Sequence, residues 1–204
     1  MPLANRPIIL ASGSAARRAM LEAAGLIVTV DTPDVDEDTI RKALLADDGA
    51  VDGEDLAEVL ARAKADRVAA RHTSDYVVAG DQVLVCEGQI LSKPRTLAEA
   101  QTQLLSLRGK THTLYSAGVI AHDGVVVWAN VQTADVSFRD CSAAFIGQYL
   151  SAVGDDALSS VGGYKIEGPG AQLIKTMKGD HFVVLGLPLF DLLAELRALG
   201  VLAT

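Results

Sequence analysis

The stretch Ile9–Leu21, ILASGSAARRAML, contains the change of pattern that indicates the fold class. The apolar run Pro7–Ser12 predicts a short buried strand. Helix-favouring residues follow at Ala15–Ala24, and Gly25 ends the predicted helix. A strand that runs directly into a helix is typical of α/β proteins.

The same alternation continues along the rest of the chain. Asp123-Gly124 is predicted to be the tight turn of a long antiparallel pair. Further helices are predicted over residues 55–71, 97–107, 142–153 and 189–199, and strands over 27–30, 112–122, 125–138, 173–176 and 181–185. Residues 47–55 are expected to form a surface loop rather than a boundary. A single mixed α/β domain is therefore predicted over residues 1–204.

Composition excludes several classes of protein. Half of the 204 residues are apolar and 22% are charged, which excludes disorder. The formal net charge of -8 does not suit duplex nucleic acid or an anionic membrane, both of which attract basic surfaces. Cys86 and Cys141 form no CxxC pair, so neither a disulfide scaffold nor a thiolate zinc site is expected. Since no segment approaches the roughly 20 apolar residues of a membrane span, we expect a soluble, cytoplasmic protein.

The first candidate site is the Ser12-Gly13-Ser14 turn between the predicted strand and helix. Backbone amides and the dipole at a helix N-terminus bind phosphate, and the two hydroxyls add donors. Arg17 and Arg18 follow closely and supply positive charge, which can grip phosphate in a bidentate fork. The alternative is ordinary capping of the helix by Ser14, with both arginines on a solvated face.

A second candidate is Asp81, which interrupts the apolar run Val77–Val85, VVAGDQVLV. Burial of an unpaired carboxylate is costly, so we expect Asp81 at a strand end that faces a cleft. There it could hold a metal ion or take a proton from water. The alternative is a simple turn at Gly80-Asp81, which the flanking valines make less natural.

Three further segments carry candidate residues. Lys93 precedes Pro94, which favours an extended backbone and a fixed ammonium group, although an exposed loop lysine is the common case. The acidic run Pro33–Asp38, PDVDED, offers oxygen ligands for Mg²⁺ or Mn²⁺, or forms a solvated turn. The glycine-rich run Val161–Lys175 brings backbone close to a ligand and presents Glu167, or is a long turn.

Together and in this order these segments resemble the Maf family of nucleotide pyrophosphatases. The resemblance covers nearly the whole chain and runs through ILASGSAARRAML, PDVDE, LARAKA, AGDQ, SKP, VSFR, GGYKIEGPG and VVLGLPL. It implies an elongated α/β fold with two lobes around a cleft, similar to that of inosine triphosphate pyrophosphatase. It also implies cleavage between the α and β phosphates of a nucleoside triphosphate with a divalent cation (Mg, Mn or Co), and a homodimer.

The resemblance also assigns roles to individual residues. The catalytic positions are Asp81, as general base, with Glu37, Lys64 and Lys93. Asp81 and Glu37 are also the expected metal ligands. Substrate-binding positions are Ser12 and Arg17 in the phosphate loop, with Ser14 and Arg18 beside them, and Gln82 and Glu167 for the base.

Two positions depart from the family pattern. Ala15 stands where Pro is usual, and Ala16 where Arg or Trp is frequent, which bears on substrate preference rather than on the chemistry. The pair Gln82 and Glu167 resembles members that act on 7-methyl-GTP. The alternatives are a dTTP/UTP pyrophosphatase, a non-catalytic nucleotide-binding regulator of cell division, and a structural or interaction module.

Overall fold

A computed structural model describes residues 4–46 and 52–203 of the chain. The strands are β1 (Ile8–Ala11), β2 (Val28–Val30), β3 (Tyr76–Cys86), β4 (Gln89–Leu91), β5 (Thr111–His122), β6 (Val125–Phe138) and β7 (Ile174–Lys178). The helices are α1 (Ala15–Ala23), α2 (Glu37–Ala46), α3 (Gly53–Ala69), α4 (Leu97–Leu107), α5 (Ala143–Val153), α6 (His181–Leu185) and α7 (Leu189–Ala198). The predicted mixed α/β class is therefore confirmed.

The chain divides into two compact units. The first comprises Met1–Gln82, Ser116–Gln132 and His181–Thr204, and the second comprises Val83–Tyr115 and Thr133–Asp180. The long strands β3, β5 and β6 contribute residues to both units. The expectation of a single domain over residues 1–204 stays a prediction.

In the first unit the strand order is β2-β1-β3-β5-β6, with β1 parallel to both β2 and β3. Ala11 pairs with Ala79, so β1 ends beside the middle of β3. Its apolar core combines buried side chains of β1, β3 and α7, among them Ile8, Val78 and Leu192. None of the described helices, in residues 4–46 and 52–203, is long and apolar enough to cross a membrane.

In the second unit β3 pairs with β4 and β6 pairs with β7, both antiparallel, so the sheet is mixed. Thr96 and Ser142 accept hydrogen bonds from backbone amides at the starts of α4 and α5 and so cap these helices. A short 3-10 segment spans Gly154–Ser159, and two more, Val161–Gly163 and Pro169–Leu173, lie within the glycine-rich run.

Several local predictions are confirmed and others are wrong. The Asp123-Gly124 turn has positive φ at both residues, as a tight hairpin turn requires. The prediction of a strand at His181–Leu185 is wrong, since this segment forms helix α6. A short apolar run has no periodicity that distinguishes a strand from a helix. Glu37 opens a helix, α2, that the acidic pattern did not predict. The predicted loop at 47–55 lies partly outside the described residues, and α3 begins within it at Gly53.

Candidate active site

Strand β3 presents Gly80, Asp81 and Gln82 on alternating faces of its sheet. Asp81 contacts Lys64 of α3. Gly80 and Gln82 face the other side, where a Cβ at position 80 would lie 2.7 Å from Leu187 Cδ2. The prediction that Asp81 lies at a strand end is therefore wrong, because the strand runs without interruption through Asp81.

Lys64 explains how the strand tolerates a buried carboxylate. Its ammonium group donates a hydrogen bond to Asp81 Oδ1 and lies 2.8 Å from Glu37 Oε1. The Lys64 and Asp81 side chains are each 8% exposed, whereas the Glu37 side chain is 45% exposed. Burial of a charge is costly unless it is paired, so the three groups stabilise one another beside α3. Lys64, Asp81 and Glu37 are together called the Lys64 cluster.

Lys64 lies on α3, which contacts β1. The other buried residues of this helix are small or aliphatic, such as Ala57, Leu60 and Ala61. Asp52 caps the start of this helix by accepting from the amides of Glu54 and Asp55. The long, well-capped helix holds the lysine stem among apolar side chains and directs only its charged end to the carboxylates.

The strand-to-helix turn after β1 has the features of an anion site. Ser14 caps α1 by accepting from the Arg17 amide at 3.3 Å, and the Ser14 amide donates to Ser12 Oγ at 3.2 Å. Ser12 is buried at 5% exposure. Capping by Ser14, the structural alternative, is thus present, and it leaves the helix N-terminus beside a buried hydroxyl. Arg18 is exposed and pairs with Glu22, as the solvated-face alternative expected.

Arg17, in contrast, is buried at 8% exposure. Its Nε donates to the Gly186 carbonyl at 2.8 Å and its Nη1 donates to Ser12 Oγ at 3.2 Å. Burial lowers the pKa of Arg17 from its ordinary value, and the nearby charges of Asp81 and Glu37 act in the opposite direction. Arginine remains charged in proteins, so this buried cation, oriented by two hydrogen bonds, suits a multiply charged anion.

A divalent cation fits this site if two protein carboxylates and the phosphates of the substrate share its coordination. Among residues 4–46 and 52–203, no group of three or more His, Cys, Asp or Glu side chains is arranged to hold a metal ion. Asp81 and Glu37 nevertheless direct one oxygen each at the same point, the Lys64 ammonium. Mg²⁺ commonly takes one or two carboxylates and completes its shell with water and substrate phosphates. The two carboxylates therefore suit an ion that arrives with a polyphosphate.

Gln82 follows Asp81 in β3 but faces the other side of the sheet, where protein groups surround its side-chain amide. Its Nε2 lies 3.0 Å from each of three oxygens, Ser116 Oγ and the carbonyls of Val183 and Val184. Ser116 Oγ also donates to the Val183 carbonyl at 2.7 Å. Sequence reasoning found Gln82 and missed Ser116, which lies in an apolar run that carries no local signal.

The second unit contains the other predicted residues. Lys93 and Glu167 are both exposed. In the glycine-rich run that also carries Glu167, the Tyr164 hydroxyl lies 2.7 Å from Nε2 of His112. Both rings are buried and meet Phe138 edge to face. Burial lowers the pKa of His112 to about 4 and raises that of Tyr164.

The loop that carries Glu167 is also closed on itself at its far end. A Cβ at Gly170 would lie 2.3 Å from the Lys165 carbonyl oxygen, so only glycine allows this approach. The Ser160 hydroxyl donates to the Tyr164 carbonyl at 2.5 Å. Glu167 is therefore an exposed carboxylate on a short loop with both ends fixed. The sequence pattern singled out the loop glycines but not His112, which is distant in the chain.

Comparisons with known proteins agree with this description. A 7-methyl-GTP pyrophosphatase of Mesorhizobium japonicum is 47% identical over 193 residues, covering 95% of this chain and 96% of its own. A nucleoside triphosphate pyrophosphatase of Paramagnetospirillum magneticum is 43% identical over 192 residues, covering 94% of this chain and 98% of its own. A solved nucleoside-triphosphatase / dITP/XTP pyrophosphatase from Mycobacterium abscessus covers 96% of each chain at a TM-score of 0.42 and 17% identity, too low to add to the assignment.

The family model described as Maf-like protein matches residues 7–199, nearly the whole chain. The matched range contains the phosphate-loop turn, the Lys64 cluster and the glycine-rich loop. The resemblance inferred from the ordered motifs is confirmed. The chain belongs to the Maf-like protein family.

Proposed function

We propose that this protein hydrolyses nucleoside triphosphates to the nucleoside monophosphate and pyrophosphate. The observation that carries the proposal is the contact of the buried Lys64 with Asp81 and Glu37, in the same compact unit as the buried Arg17. Cations and carboxylates held together in one site suit a polyphosphate and the water that attacks it. The names of the relatives, which specify pyrophosphatase activity, support the same reaction.

Each residue has a definite part in the proposed reaction. Arg17 and the amides of the phosphate-loop turn bind phosphate oxygens, and Lys64 balances charge as the substrate enters. Asp81, assisted by Glu37, orients a water molecule and takes its proton as the water oxygen bonds to the α-phosphorus. The bond from the α-phosphorus to the bridging oxygen breaks, and pyrophosphate leaves with that oxygen.

Asp81 and Glu37 would hold a divalent cation, Mg²⁺, Mn²⁺ or Co²⁺, which would neutralise charge on the phosphates and lower the pKa of water. Lys93 is proposed as a further phosphate-binding residue and Glu167 as a base-binding residue, both from the resemblance. A carboxylate accepts hydrogen bonds and donates none. The guanine edge offers two adjacent donors, so Glu167 favours 7-methyl-GTP over dTTP and UTP.

Product analysis in ¹⁸O-water tests the reaction. The protein is incubated separately with 7-methyl-GTP, GTP, dTTP or UTP, each with Mn²⁺. The products are separated, and mass spectrometry shows which of them carries the label. Attack at the α-phosphorus puts the label in the monophosphate. Label in pyrophosphate, or release of a diphosphate and inorganic phosphate, contradicts the mechanism. Absence of hydrolysis of any nucleotide in the panel contradicts the proposed function.

A further inference from the structure

The side-chain amide of Gln82 is oriented by its surroundings. Two of its three neighbours at 3.0 Å are the backbone carbonyls of Val183 and Val184, which only accept hydrogen bonds. The amide oxygen in the same place would face two other oxygens, so the nitrogen must occupy it. The donor end of Gln82 is thus directed into the protein at α6.

Helix α6 depends on these donors. It has five residues, too few for a helix that is stable by itself. The last carbonyls of a helix have no partner within it and must find donors elsewhere. Gln82 on β3 and Ser116 on β5 supply those donors to Val183 and Val184. The two strands therefore fix the position of the C-terminal end of α6.

The same carbonyl connects α6 to the buried arginine. The Val183 carbonyl also accepts from the Gly186 amide at 3.0 Å. The Gly186 carbonyl in turn accepts from Arg17 Nε at 2.8 Å. A continuous chain of hydrogen bonds therefore runs from Gln82 through Val183 and Gly186 to the guanidinium group of Arg17.

We propose that Gln82 is a positioning residue for Arg17 and that it acts on the phosphates of the substrate rather than on its base. Gln82 holds α6, α6 holds the Gly186 carbonyl, and that carbonyl orients the guanidinium group. The inference rests on the proposed function, in which Arg17 binds phosphate. It is an alternative to the expectation from the sequence that Gln82 contacts the base.

A ligand without a base separates the two roles. Inorganic tripolyphosphate binding is measured by calorimetry for the wild type, Gln82→Met and Ser116→Ala. Methionine keeps the length of the side chain and removes the donors. We expect Gln82→Met to weaken tripolyphosphate binding about tenfold, the factor that corresponds to one lost hydrogen bond of this kind. Ser116→Ala should act in the same direction and less strongly, because Gln82 keeps both carbonyl contacts.

Two results overturn the proposal. If Gln82→Met binds tripolyphosphate as the wild type does, Gln82 does not act through Arg17. If Gln82→Met instead changes the ratio of kcat/KM between 7-methyl-GTP and UTP by tenfold or more, it contacts the base. Positioning predicts that kcat/KM falls by a similar factor for both nucleotides. It also predicts that Gln82→Met has little further effect in a protein that already carries Arg17→Lys.

Hydrogen exchange tests, independently of activity, whether Gln82 holds α6 in place. The Gly186 and Leu187 amides bond to the Val183 and Phe182 carbonyls, and Gln82→Met should raise their exchange rates about tenfold. The amides of β1 serve as the control and should not change. Unaltered exchange at Gly186 and Leu187 overturns the positioning role. Failure of the wild type to bind tripolyphosphate counts against the proposed function, and the exchange rates still decide whether Gln82 holds α6.

Discussion

Lys64 and His112 are both buried polar side chains, one in each compact unit, and they are accommodated in opposite ways. Lys64 lies against two carboxylates, Asp81 and Glu37, so its charge is compensated by opposite charge. His112 lies against a neutral hydroxyl, that of Tyr164, and burial lowers its pKa to about 4. In the first arrangement, buried charged groups stabilise one another. In the second, the buried histidine and tyrosine are both neutral near pH 7.

This difference indicates what each region does. A cluster of compensated charges can exchange its partners when a charged ligand enters, because each group already prefers an ionic neighbour. A neutral pair enclosed by aromatic rings has no such exchange and instead fixes the shape of the loop beside it. We therefore assign the proposed chemistry to the Lys64 cluster, and we propose that the His112 and Tyr164 pair holds the loop that carries Glu167.

The largest expected effect comes from Asp81→Asn, which removes the base and the charge but keeps the shape. Turnover should fall on the order of a hundredfold or more, in line with loss of a general base. Nucleotide binding should survive, since Arg17 and the phosphate-loop turn are untouched. Steady-state pyrophosphate release and calorimetric binding measure the two quantities.

Asp31→Asn is the matched control for that substitution. Asp31 is also an ion-paired aspartate of the first unit, bonded to Arg71 and His72 away from Lys64. Its substitution should leave turnover within about twofold, since these partly exposed ion pairs contribute little and do not involve Lys64 or Asp81. Near-normal turnover in Asp81→Asn would remove Asp81 from the catalytic role.

The second expected effect is a pH dependence of stability that originates at His112. Its pKa is about 4 in the folded protein and about 6.5 in the unfolded chain. Between these values the unfolded chain binds a proton that the folded protein does not, so stability falls as the pH drops from 6.5 to 4. The difference between the two pKa values corresponds to roughly 3 kcal/mol.

Urea unfolding at pH 4, 5, 6 and 7 measures this dependence. The double variant His112→Phe with Tyr164→Phe removes both buried polar groups and should lose much of the decline. Tyr164→Phe alone keeps the histidine and should keep the decline, because burial is the main cause of the lowered pKa. An identical decline in the double variant and the wild type would assign it to other groups.

The third expected effect comes from Gly80→Ala, because the first unit leaves no room for a side chain at this position. A Cβ at Gly80 would lie 2.7 Å from Leu187 Cδ2, 3.0 Å from the Ala117 carbonyl oxygen and 3.1 Å from Arg17 Nε. Gly80→Ala should therefore destabilise the protein by about 1–3 kcal/mol, as overpacking does, and weaken phosphate binding by displacing Arg17. Thermal unfolding and tripolyphosphate calorimetry report the two changes.

Gly147→Ala, in α5 of the second unit, is the control with the opposite sign. No atom lies within 4 Å of a Cβ there. Alanine in a helix interior is more stable than glycine by about 0.5–1 kcal/mol. Stabilisation by both substitutions would mean that the close approach at Gly80 is not maintained in solution.

The smallest effect is on the choice of base. Glu167→Gln should narrow the preference for 7-methyl-GTP over UTP by about tenfold, because a side-chain amide both donates and accepts. The kcat for each nucleotide should change little, since Glu167 lies on an exposed loop of the second unit and the Lys64 cluster is unaltered. Competition between the two nucleotides in one reaction measures the ratio, and an unchanged ratio removes Glu167 from base recognition.

Local signals in the sequence were sufficient for elements with a strong pattern. Helix α4 has the predicted bounds, and the Asp123-Gly124 hairpin follows from residues that accept positive φ. Helix α6 was not predictable from its own residues, since its carbonyls find their donors in Gln82 and Ser116, far away in the chain. Secondary structure that depends on distant partners leaves little trace in local periodicity.

The candidate site shows the same limit. The residue types and their spacing indicated Asp81 and Arg17 as chemically important, and the family resemblance added Lys64. Burial of Asp81 in mid-strand could not be predicted, because that depends on a lysine that is 17 positions away in sequence and on another element. The base-reading assignments of Gln82 and Glu167 came from resemblance alone and stay predictions.

The alternation of Gly80, Asp81 and Gln82 along β3 also limits how this protein can change through evolution. Substitution at any one of the three positions alters contacts on one face of the sheet only. Insertion or deletion of one residue before them exchanges the faces. It would direct the carboxylate of Asp81 at the carbonyls of α6 and remove the partner of Lys64. A point substitution in this strand therefore disturbs one face at a time, whereas a change in length disturbs both faces together.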